Sequence, residues 1–467
     1  MKRAAVINVV GLTPALLGPA TPHLAQFLGQ AACASVVPAF PAVTCTAQSN
    51  YLTGTTPARH GIVANGWYDR ELAEVHFWKQ SNHLVTAPKI WEQLRPAVPR
   101  FTCAQLFWWH NMYSSANYSI TPRPIYPADG RKIFDIYSWP YDIRAQIKKD
   151  LGEFPFPAFW GPAAGVNSAQ GSADAASRWI ADSAKWIENK YAPTLSLIYL
   201  PHLDYNLQRH GPEAVQTAKF DDLARIDAVA GDLISFFCAR DVRIILLSEY
   251  GIAAVDRPVH LNRLFRQKGW LAVKDELGLE ALDCGASKVF AVADHQVAHI
   301  YLNDPSLERA VRDVLQNEPG VGAILGPAEK TACGIQHDRA GDLVAVAAER
   351  AWFTYYYWLE DARAPDFARC VDIHRKPGFD PVELFLDPKI PLIKLQILWR
   401  LLRKNLGFRT LLDVIPLDAS LVKGSHGRPV ADRAGRPLFA CESPPAALPA
   451  EIDSTEVCGL IKKQVTG

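Results

Sequence analysis

Short apolar runs alternate with amphipathic stretches through the first half of the chain. The runs at residues 4–10, 195–200 and 242–247 are rich in β-branched and leucine side chains, as in strands buried on both faces of a parallel sheet. Helical spacing of apolar residues predicts helices over 173–191 and 213–240. Repeated strand–helix–strand order implies right-handed crossovers. The pattern therefore predicts an α/β fold with a mostly parallel central sheet and helices on both faces.

The pattern changes after residue 260, where helical and strand-like stretches no longer alternate regularly. We expect a smaller α+β lobe over residues 261–409, and a core formed by 1–260 together with 410–467. The core carries an aromatic-rich insertion at 78–160. The elements predicted in the lobe are helices at 261–271 and 306–316 and strands within 289–302 and 341–347.

Residues 390–406 form a basic amphipathic stretch with two interpretations. Such a helix can lie on a membrane surface. It can also pack on the protein with its Lys/Arg face in solvent, and this packed helix is the interpretation that we favour from sequence.

Composition narrows the class of protein without naming an activity. The chain has 467 residues, 49% of them hydrophobic and 21% charged, which is typical of a globular protein with a real core. A net charge of +1 gives no electrostatic indication of nucleic-acid binding. The nine cysteines are scattered without a CxxC pair, so we expect reduced thiols. No apolar run approaches a membrane span and no export signal is evident, so we expect a cytoplasmic protein.

A hydroxyl-rich, turn-rich stretch at residues 40–69 carries the most specific pattern in the chain. A threonine at a helix start can present its hydroxyl beside unpaired N–H groups, where an anion is favoured. A helix N-cap is the ordinary explanation for any single threonine. The whole stretch, however, resembles the nucleophile segment of type I phosphodiesterases and nucleotide pyrophosphatases, in the alkaline phosphatase superfamily. The matching positions are Pro41, Thr44, Thr53-Gly54, Pro57, His60-Gly61-Ile62, Asn65 and Tyr68-Asp69.

This resemblance implies an alkaline-phosphatase-like sandwich, a threonine nucleophile at Thr44 and two divalent ions beside it. The family's Asp-x-x-x-His ligand pair falls on Asp204 and Gln208, and its late His-Gly falls on His426-Gly427. Its Asp-His-Gly falls on Glu249-Tyr250-Gly251. Its first-strand Asp-Gly falls on Val10-Gly11, where Asn8 is the nearest polar side chain on the same strand face.

The altered ligand positions leave two interpretations open. In the first, the site has become oxygen-rich and holds one or two divalent ions, with Mg²⁺, Mn²⁺ or Ca²⁺ favoured over Zn²⁺. In the second, the chain has lost its ions and is a non-catalytic relative. Possible additional ligands are His202, on a strand face with Asp204, and Asp372 with His374, two apart on another strand. Asp294, His295 and His299 form a further candidate group, with a local structural role as the alternative.

The function that these residues favour is metal-dependent hydrolysis of phosphoric diesters or diphosphates, with a small organic substrate. Expected substrate contacts are Gln48, next to the family's phosphoryl-binding position at Ala47, and Asn65. Trp108 and Trp109 are expected to give the organic part an apolar wall. The alternatives are a phosphate-binding relative that keeps the fold without turnover, and a phosphotransferase.

Overall fold

The computed structural model describes residues 2–168, 171–442 and 448–467. Its strands are β1 (Arg3–Val9), β2 (Ala32–Val37), β3 (Gly66–Asp69), β4 (Glu74–Phe77), β5 (Cys103–Leu106), β6 (Tyr118–Pro122), β7 (Ile136–Trp139), β8 (Leu195–Leu200), β9 (Val242–Leu247), β10 (Ala253–Ala254), β11 (Arg257–Val259), β12 (Ala272–Glu276), β13 (Leu279–Asp283), β14 (Val289–Asp294), β15 (Val297–Leu302), β16 (Val321–Leu325), β17 (Leu343–Ala347), β18 (Ala351–Phe353), β19 (Gly424–Ser425), β20 (Leu438–Cys441) and β21 (Glu451–Asp453).

Its α-helices are α1 (Pro22–Leu28), α2 (Thr44–Thr53), α3 (Pro57–His60), α4 (Ile90–Leu94), α5 (Asp142–Leu151), α6 (Ala175–Tyr191), α7 (His202–His210), α8 (Pro212–Val215), α9 (Asp222–Cys238), α10 (Leu261–Gln267), α11 (Glu308–Gln316), α12 (Pro327–Ala332), α13 (Ile393–Asn405) and α14 (Glu456–Thr466).

The chain divides into two compact units. The first comprises the described parts of Met1–Ile62, Gln80–Ile252 and Pro429–Gly467. The second comprises Val63–Lys79 and Ala253–Arg428.

The first unit is built on a nine-stranded sheet in the order β21-β2-β20-β9-β1-β8-β5-β6-β7. Strand β1 pairs in parallel with β8 on one side and β9 on the other. Antiparallel pairing is confined to β20 and to the edge strand β7. Helices α6 and α9 pack on the central strands, and α14 packs on β1 and α2. These features confirm the predicted α/β class with a mostly parallel sheet.

The central strands have the burial that their apolar runs predict. Every residue of β8 is buried, as are the last six residues of β1. Asn8 is the one polar residue within β1 that is buried among its apolar neighbours. Because a buried amide needs hydrogen-bond partners, Asn8 indicates a polar cluster at this end of the strand.

Helix α2 begins at Thr44 and all ten of its residues are buried. Its hydroxyl side chains are accommodated by bonds to its own backbone, from Ser49 to the Cys45 carbonyl and from Thr53 to the Ser49 carbonyl. The helix ends at Gly54, whose φ of 69° is a left-handed conformation that glycine adopts without strain. The Thr-Gly pair of the motif is therefore the C-terminal end of the helix.

The second unit contains a four-stranded antiparallel sheet in the order β14-β15-β17-β16. Strands β14 and β15 form a hairpin in which all twelve residues are buried. Shorter two-stranded pairings join β3 with β4, β10 with β19, β11 with β18 and β12 with β13.

Three sequence-based expectations are wrong in detail. The helix expected over 213–240 is divided into α8 and α9, with a break between Val215 and Asp222. His202 begins helix α7, so strand alternation does not relate it to Asp204. Asp372 and His374 lie in a turn rather than on a strand. The helix expected within 390–406 is present as α13: Ile393, Ile397 and Arg400 are partly buried on one side, and large apolar side chains are exposed on the other.

Candidate active site

The parallel strands of the first unit bring three polar segments to the same edge of the sheet. Asn8 lies opposite Tyr199 of β8 and Leu247 of β9 in the strand register. The residues that follow β8 and β9 therefore continue beside the end of β1, as expected for carboxyl ends of parallel strands. These residues include Asp204, in the first turn of α7, and Glu249, two positions after β9.

A chain of hydrogen bonds links Thr44 to Asp204. The Thr44 hydroxyl lies 3.1 Å from the Tyr250 hydroxyl. Tyr250 donates to Oδ1 of Asp204 at 3.2 Å, and Gln208 donates to Oδ2 of the same carboxyl at 2.6 Å. Asp204 and Gln208 meet because they are four residues apart on α7.

A second set of hydrogen bonds is centred on Glu249. Its Oε1 accepts bonds from Asn8 Nδ2 at 2.6 Å and from Gln48 Nε2 at 2.7 Å. Oε1 of Gln48 accepts a hydrogen bond from the backbone N–H of Trp109 at 2.7 Å. Gln48 thus connects helix α2, the segment after β5 and the segment after β9.

Backbone packing fixes Tyr250 in this position. A Cβ added to Gly251 would lie 2.0 Å from the backbone oxygen of Gly435. Only glycine permits this close approach. This requirement accounts for the glycine that follows Glu249-Tyr250.

Both carboxyls of the cluster are buried away from solvent. Burial raises the pKa of Asp204 to about 7, against hydrogen bonds from Gln208 and Tyr250 that lower it. Burial raises the pKa of Glu249 to about 8, although hydrogen bonds from Gln48 and Asn8 act to lower it. Burial also raises the pKa of Tyr250 well above its usual value, so the phenol is a neutral donor. Perturbed carboxyls grouped with a hydroxyl at a sheet edge are typical of catalytic sites.

The side chains of the cluster fit a hard divalent cation. Three of its buried oxygens have no hydrogen-bond partner among the described residues: Oδ1 of Asn8, Oε1 of Gln208 and Oε2 of Glu249. Carboxylate and amide oxygens are ligands that Mg²⁺, Mn²⁺ and Ca²⁺ prefer. Within the described ranges, no group of three or more His, Cys, Asp or Glu side chains could hold an ion. Any ion in this cluster would therefore rely on neutral oxygens beside the two carboxylates.

The other site residues predicted in the first unit lie among packed neighbours. His202 is buried, with its Nε2 3.1 Å from Oδ1 of Asp222. Trp108 is fully buried within the hydrophobic core of the unit. Trp109 is 8% exposed and contributes its backbone N–H to Gln48. Sequence reasoning missed this backbone contact, which no side-chain pattern could have indicated.

The second unit contains the remaining predicted residues. The backbone N–H and side-chain amide of Asn65 donate to Asp294, at 2.8 and 3.1 Å. The ring centroids of His426 and His295 lie 3.6 Å apart. The His426 carbonyl accepts a hydrogen bond from the backbone N–H of Gln296 at 2.9 Å. His299 is bonded on both ring nitrogens to backbone groups, at Val63 and Gly341.

The polar stretch around Asp372 and His374 is organised by a buried lysine. Lys376 lies 2.7 Å from both Asp380 and Glu383. Glu383 also accepts the backbone N–H of Asp372 at 2.9 Å. His374 Nδ1 is 3.4 Å from the carbonyl of Phe77. These contacts describe a buried ion-pair group.

Comparison with known proteins assigns the chain to a family. The profile of type I phosphodiesterase / nucleotide pyrophosphatase matches residues 4–380. The chain belongs to this family. It is a hydrolase of the phosphodiesterase/pyrophosphatase type, which acts on phosphate esters. A comparison with curated protein sequences gives no match.

Solved structures share the fold at low sequence identity. An inactive form of murine ectonucleotide pyrophosphatase / phosphodiesterase 5, in complex with AMP, aligns with a TM-score of 0.59 and 14% identity, covering 100% of this chain and 95% of that one. The human enzyme of the same name gives a TM-score of 0.59, 14% identity and coverages of 99% and 95%. Phosphonoacetate hydrolase from Sinorhizobium meliloti, in complex with phosphonoformate, aligns with a TM-score of 0.56 and 14% identity, covering 100% of this chain and 95% of that one. The fold is accordingly alkaline-phosphatase-like. None of the helices in the described residues has the length and apolar character needed to cross a bilayer.

Proposed function

We propose that this family member hydrolyses small phosphodiesters or diphosphates by using Thr44 as the nucleophile. The observation that carries the proposal is the position of the Thr44 hydroxyl, at the first residue of a buried helix and 3.1 Å from Tyr250 in the carboxyl cluster. The first-turn N–H groups of such a helix favour the oxygens of a phosphoryl group.

The neighbours of the Thr44 hydroxyl support a nucleophilic role. The hydroxyl lies 3.1 Å from that of Tyr250, and Tyr250 donates to Asp204 at 3.2 Å. Thr44 is thereby connected through one phenol to a buried carboxyl. This connection offers a route by which the threonine proton can leave as Oγ1 attacks phosphorus.

The reaction has two steps. Thr44 Oγ1 gives up its proton and forms a bond to phosphorus while the bond to the leaving oxygen breaks, which releases an alcohol or phosphate product. The phosphoryl group on Thr44 keeps the other organic substituent of the substrate. Water then breaks the bond between phosphorus and Oγ1, which releases a phosphate monoester and restores the hydroxyl. Asp204 and Glu249, with the oxygens of Asn8, Gln208 and Tyr250, would hold a divalent ion. When bound, such an ion lowers the pKa of the attacking hydroxyl and neutralises the leaving oxygen.

The family and the structural relatives support a proposal for the substrate class. The murine relative is bound to AMP and the bacterial relative to phosphonoformate, both small anionic phosphorus compounds. We accordingly propose a small organic phosphate ester or diphosphate as substrate. Gln48, Asn65, Trp108 and Trp109 stay as predicted substrate contacts, and His426 stays a predicted metal ligand by resemblance to the family.

The test compares Thr44 variants on a chromogenic phosphodiester and a panel of diphosphates. Thr44→Ala is expected to lower kcat by about a thousandfold or more, because it removes the attacking oxygen. Thr44→Ser keeps that oxygen and is expected to retain measurable turnover. Thr46→Ala is the matched control, since it removes a buried hydroxyl of the same helix that donates to the Ile62 carbonyl. Wild-type activity in Thr44→Ala would contradict the proposal.

Metal dependence is tested on the same substrates after chelation. Activity is expected to return with Mg²⁺ or Mn²⁺ more than with Zn²⁺, because oxygen ligands favour the harder ions. Full activity in the chelated protein, or restoration by Zn²⁺ alone, would contradict the oxygen-rich site.

A further inference from the structure

Helix α13, in the second unit, exposes a stripe of large apolar side chains. None of the helix residues whose side chains are described is buried. Single exposed leucines are normal on a protein surface, but a contiguous row of them indicates an interaction site. The stripe consists of Leu395 (60% exposed), Leu398 (64%), Trp399 (59%), Leu402 (48%) and, just after the helix, Leu406 (66%).

Helical geometry places the stripe on the outer side of α13. Its members are spaced by three and four residues, so at about 100° per residue they share one face. A different face of the helix is attached to the unit through Arg400. The Arg400 guanidinium lies 2.6 Å from the Asp413 carboxylate and donates to the Asp413 carbonyl at 3.1 Å. Ile393 and Ile397 are partly buried on the same side as Arg400, while the apolar stripe on the other side is in solvent.

The surrounding segment, residues 388–412, is strongly basic. It contains no Asp or Glu, although the whole chain has 49 basic and 48 acidic residues. Exposed Phe408, Leu411 and Leu412 extend the apolar surface. Its six basic residues are Lys389, Lys394, Arg400, Arg403, Lys404 and Arg409. Arg400 is paired with Asp413, which leaves five positive side chains for an anionic partner.

The combination of apolar stripe and positive charge determines which partner fits. An anionic surface matches the charge, whereas a second copy of the same segment would bring two positive segments together. Lys394 and Arg403 flank the stripe, so their long side chains can reach outward while the apolar residues are buried. A flat anionic surface with an apolar interior has the chemistry of an anionic lipid bilayer.

We propose that residues 388–412 dock this protein on the surface of anionic lipid membranes. The 13 residues of α13 extend about 20 Å at 1.5 Å per residue, too short to cross a bilayer of about 30 Å. The helix lies parallel to the membrane plane, with its apolar stripe between the headgroups and the acyl chains. This interaction is independent of the chemistry proposed for Thr44.

The test is co-sedimentation of the full chain with phosphatidylcholine vesicles, with and without phosphatidylglycerol. Binding is expected only with the anionic lipid, and it should weaken between about 0.1 M and 1 M salt. The double variant Leu398→Gln, Trp399→Gln is expected to weaken partitioning by about tenfold or more, because it removes the centre of the stripe. Arg403→Gln with Lys404→Gln is expected to weaken it by about tenfold. Lys268→Gln with Arg309→Gln removes the same charge from exposed positions elsewhere and should bind normally.

All variants should keep their thermal stability and their activity on soluble substrates, since the altered side chains are exposed. Equal binding to neutral vesicles, or no binding to either kind, would overturn the proposal. A concentration-dependent dimer that the Leu398→Gln, Trp399→Gln variant dissociates, without vesicle binding by the wild type, would instead identify the stripe as a protein interface and overturn it.

Discussion

At the scale of single residues, the resemblance to the family implies that several ligand positions of the candidate site are altered but still polar. It matches Gln208 and Tyr250 to histidines of the family and Glu249 to an aspartate. Each exchanged side chain is hydrogen-bonded within the cluster rather than turned out to solvent. Random substitution after a loss of function is not expected to retain such buried polar groups, because burying them costs free energy.

Gln48 supplies the most specific prediction at this scale. Gln48→Leu removes the donor to Glu249 and the acceptor for the Trp109 N–H. A buried backbone N–H without a partner is expected to lower the free energy of unfolding by about 1–3 kcal/mol, and activity should fall with it. Chemical unfolding and steady-state kinetics measure the two effects. Gln216→Leu, at an exposed glutamine on the same unit, is the control, and equal effects in both variants would contradict the bridging role.

At the scale of helices and strands, the second unit contains a histidine whose neutrality the fold requires. Nδ1 of His299 accepts the Gly341 N–H at 3.0 Å, and Nε2 lies 3.2 Å from the Val63 carbonyl. Burial lowers the pKa of His299 to about 4. The ring is therefore a structural link between β15 and its neighbours, which is the local role that we weighed against metal binding.

This depressed pKa predicts a pH dependence of stability. The folded-state pKa is below the unfolded value of about 6.5, so the unfolded state binds more protons between these values. The contribution of His299 is complete above about pH 6.5 and is lost as the pH falls through about 4, by up to about 3 kcal/mol. His299→Gln should reduce the slope of unfolding free energy against pH in this window. An unchanged slope would contradict the prediction.

Local patterns predicted the strands well where both faces of a strand are buried. The runs at 4–10, 195–200 and 242–247 became β1, β8 and β9, because a strand covered on both faces needs apolar residues at every position. The stretch at 390–406 has the expected helical form. Periodicity identifies which residues share a face of a helix, but it does not tell which face meets the protein. In α13 the exposed face carries large apolar side chains as well as the predicted basic ones.

The site was predictable only as far as its residues recur in a known motif. Thr44 and Asp204 followed from the family resemblance, whereas the contacts of the Tyr250 hydroxyl with both of them join segments that are far apart in the chain. His202 was misplaced because the strand β8 ends at Leu200 and Pro201 leads directly into α7. Such contacts between distant segments have no signature in the local sequence.

At the scale of the whole molecule, the cysteines offer a direct check on the fold. All nine are unpaired thiols, of which Cys33, Cys238 and Cys333 are exposed. Native protein is expected to react at three thiols with an aromatic disulfide reagent, and at nine after unfolding without reductant. Fewer than nine reactive thiols in the unfolded chain would reveal a disulfide and contradict the expected reduced state.

The central claim is that Thr44 carries the phosphoryl group during turnover, and acid quenching followed by mass spectrometry tests it most directly. Wild-type protein mixed with a diphosphate or phosphodiester substrate and a divalent ion should gain the mass of the transferred phosphoryl group. Peptide sequencing should locate it on Thr44, and Thr44→Ala should not be labelled. Turnover without any labelled protein, or a label at a residue other than Thr44, would contradict the account.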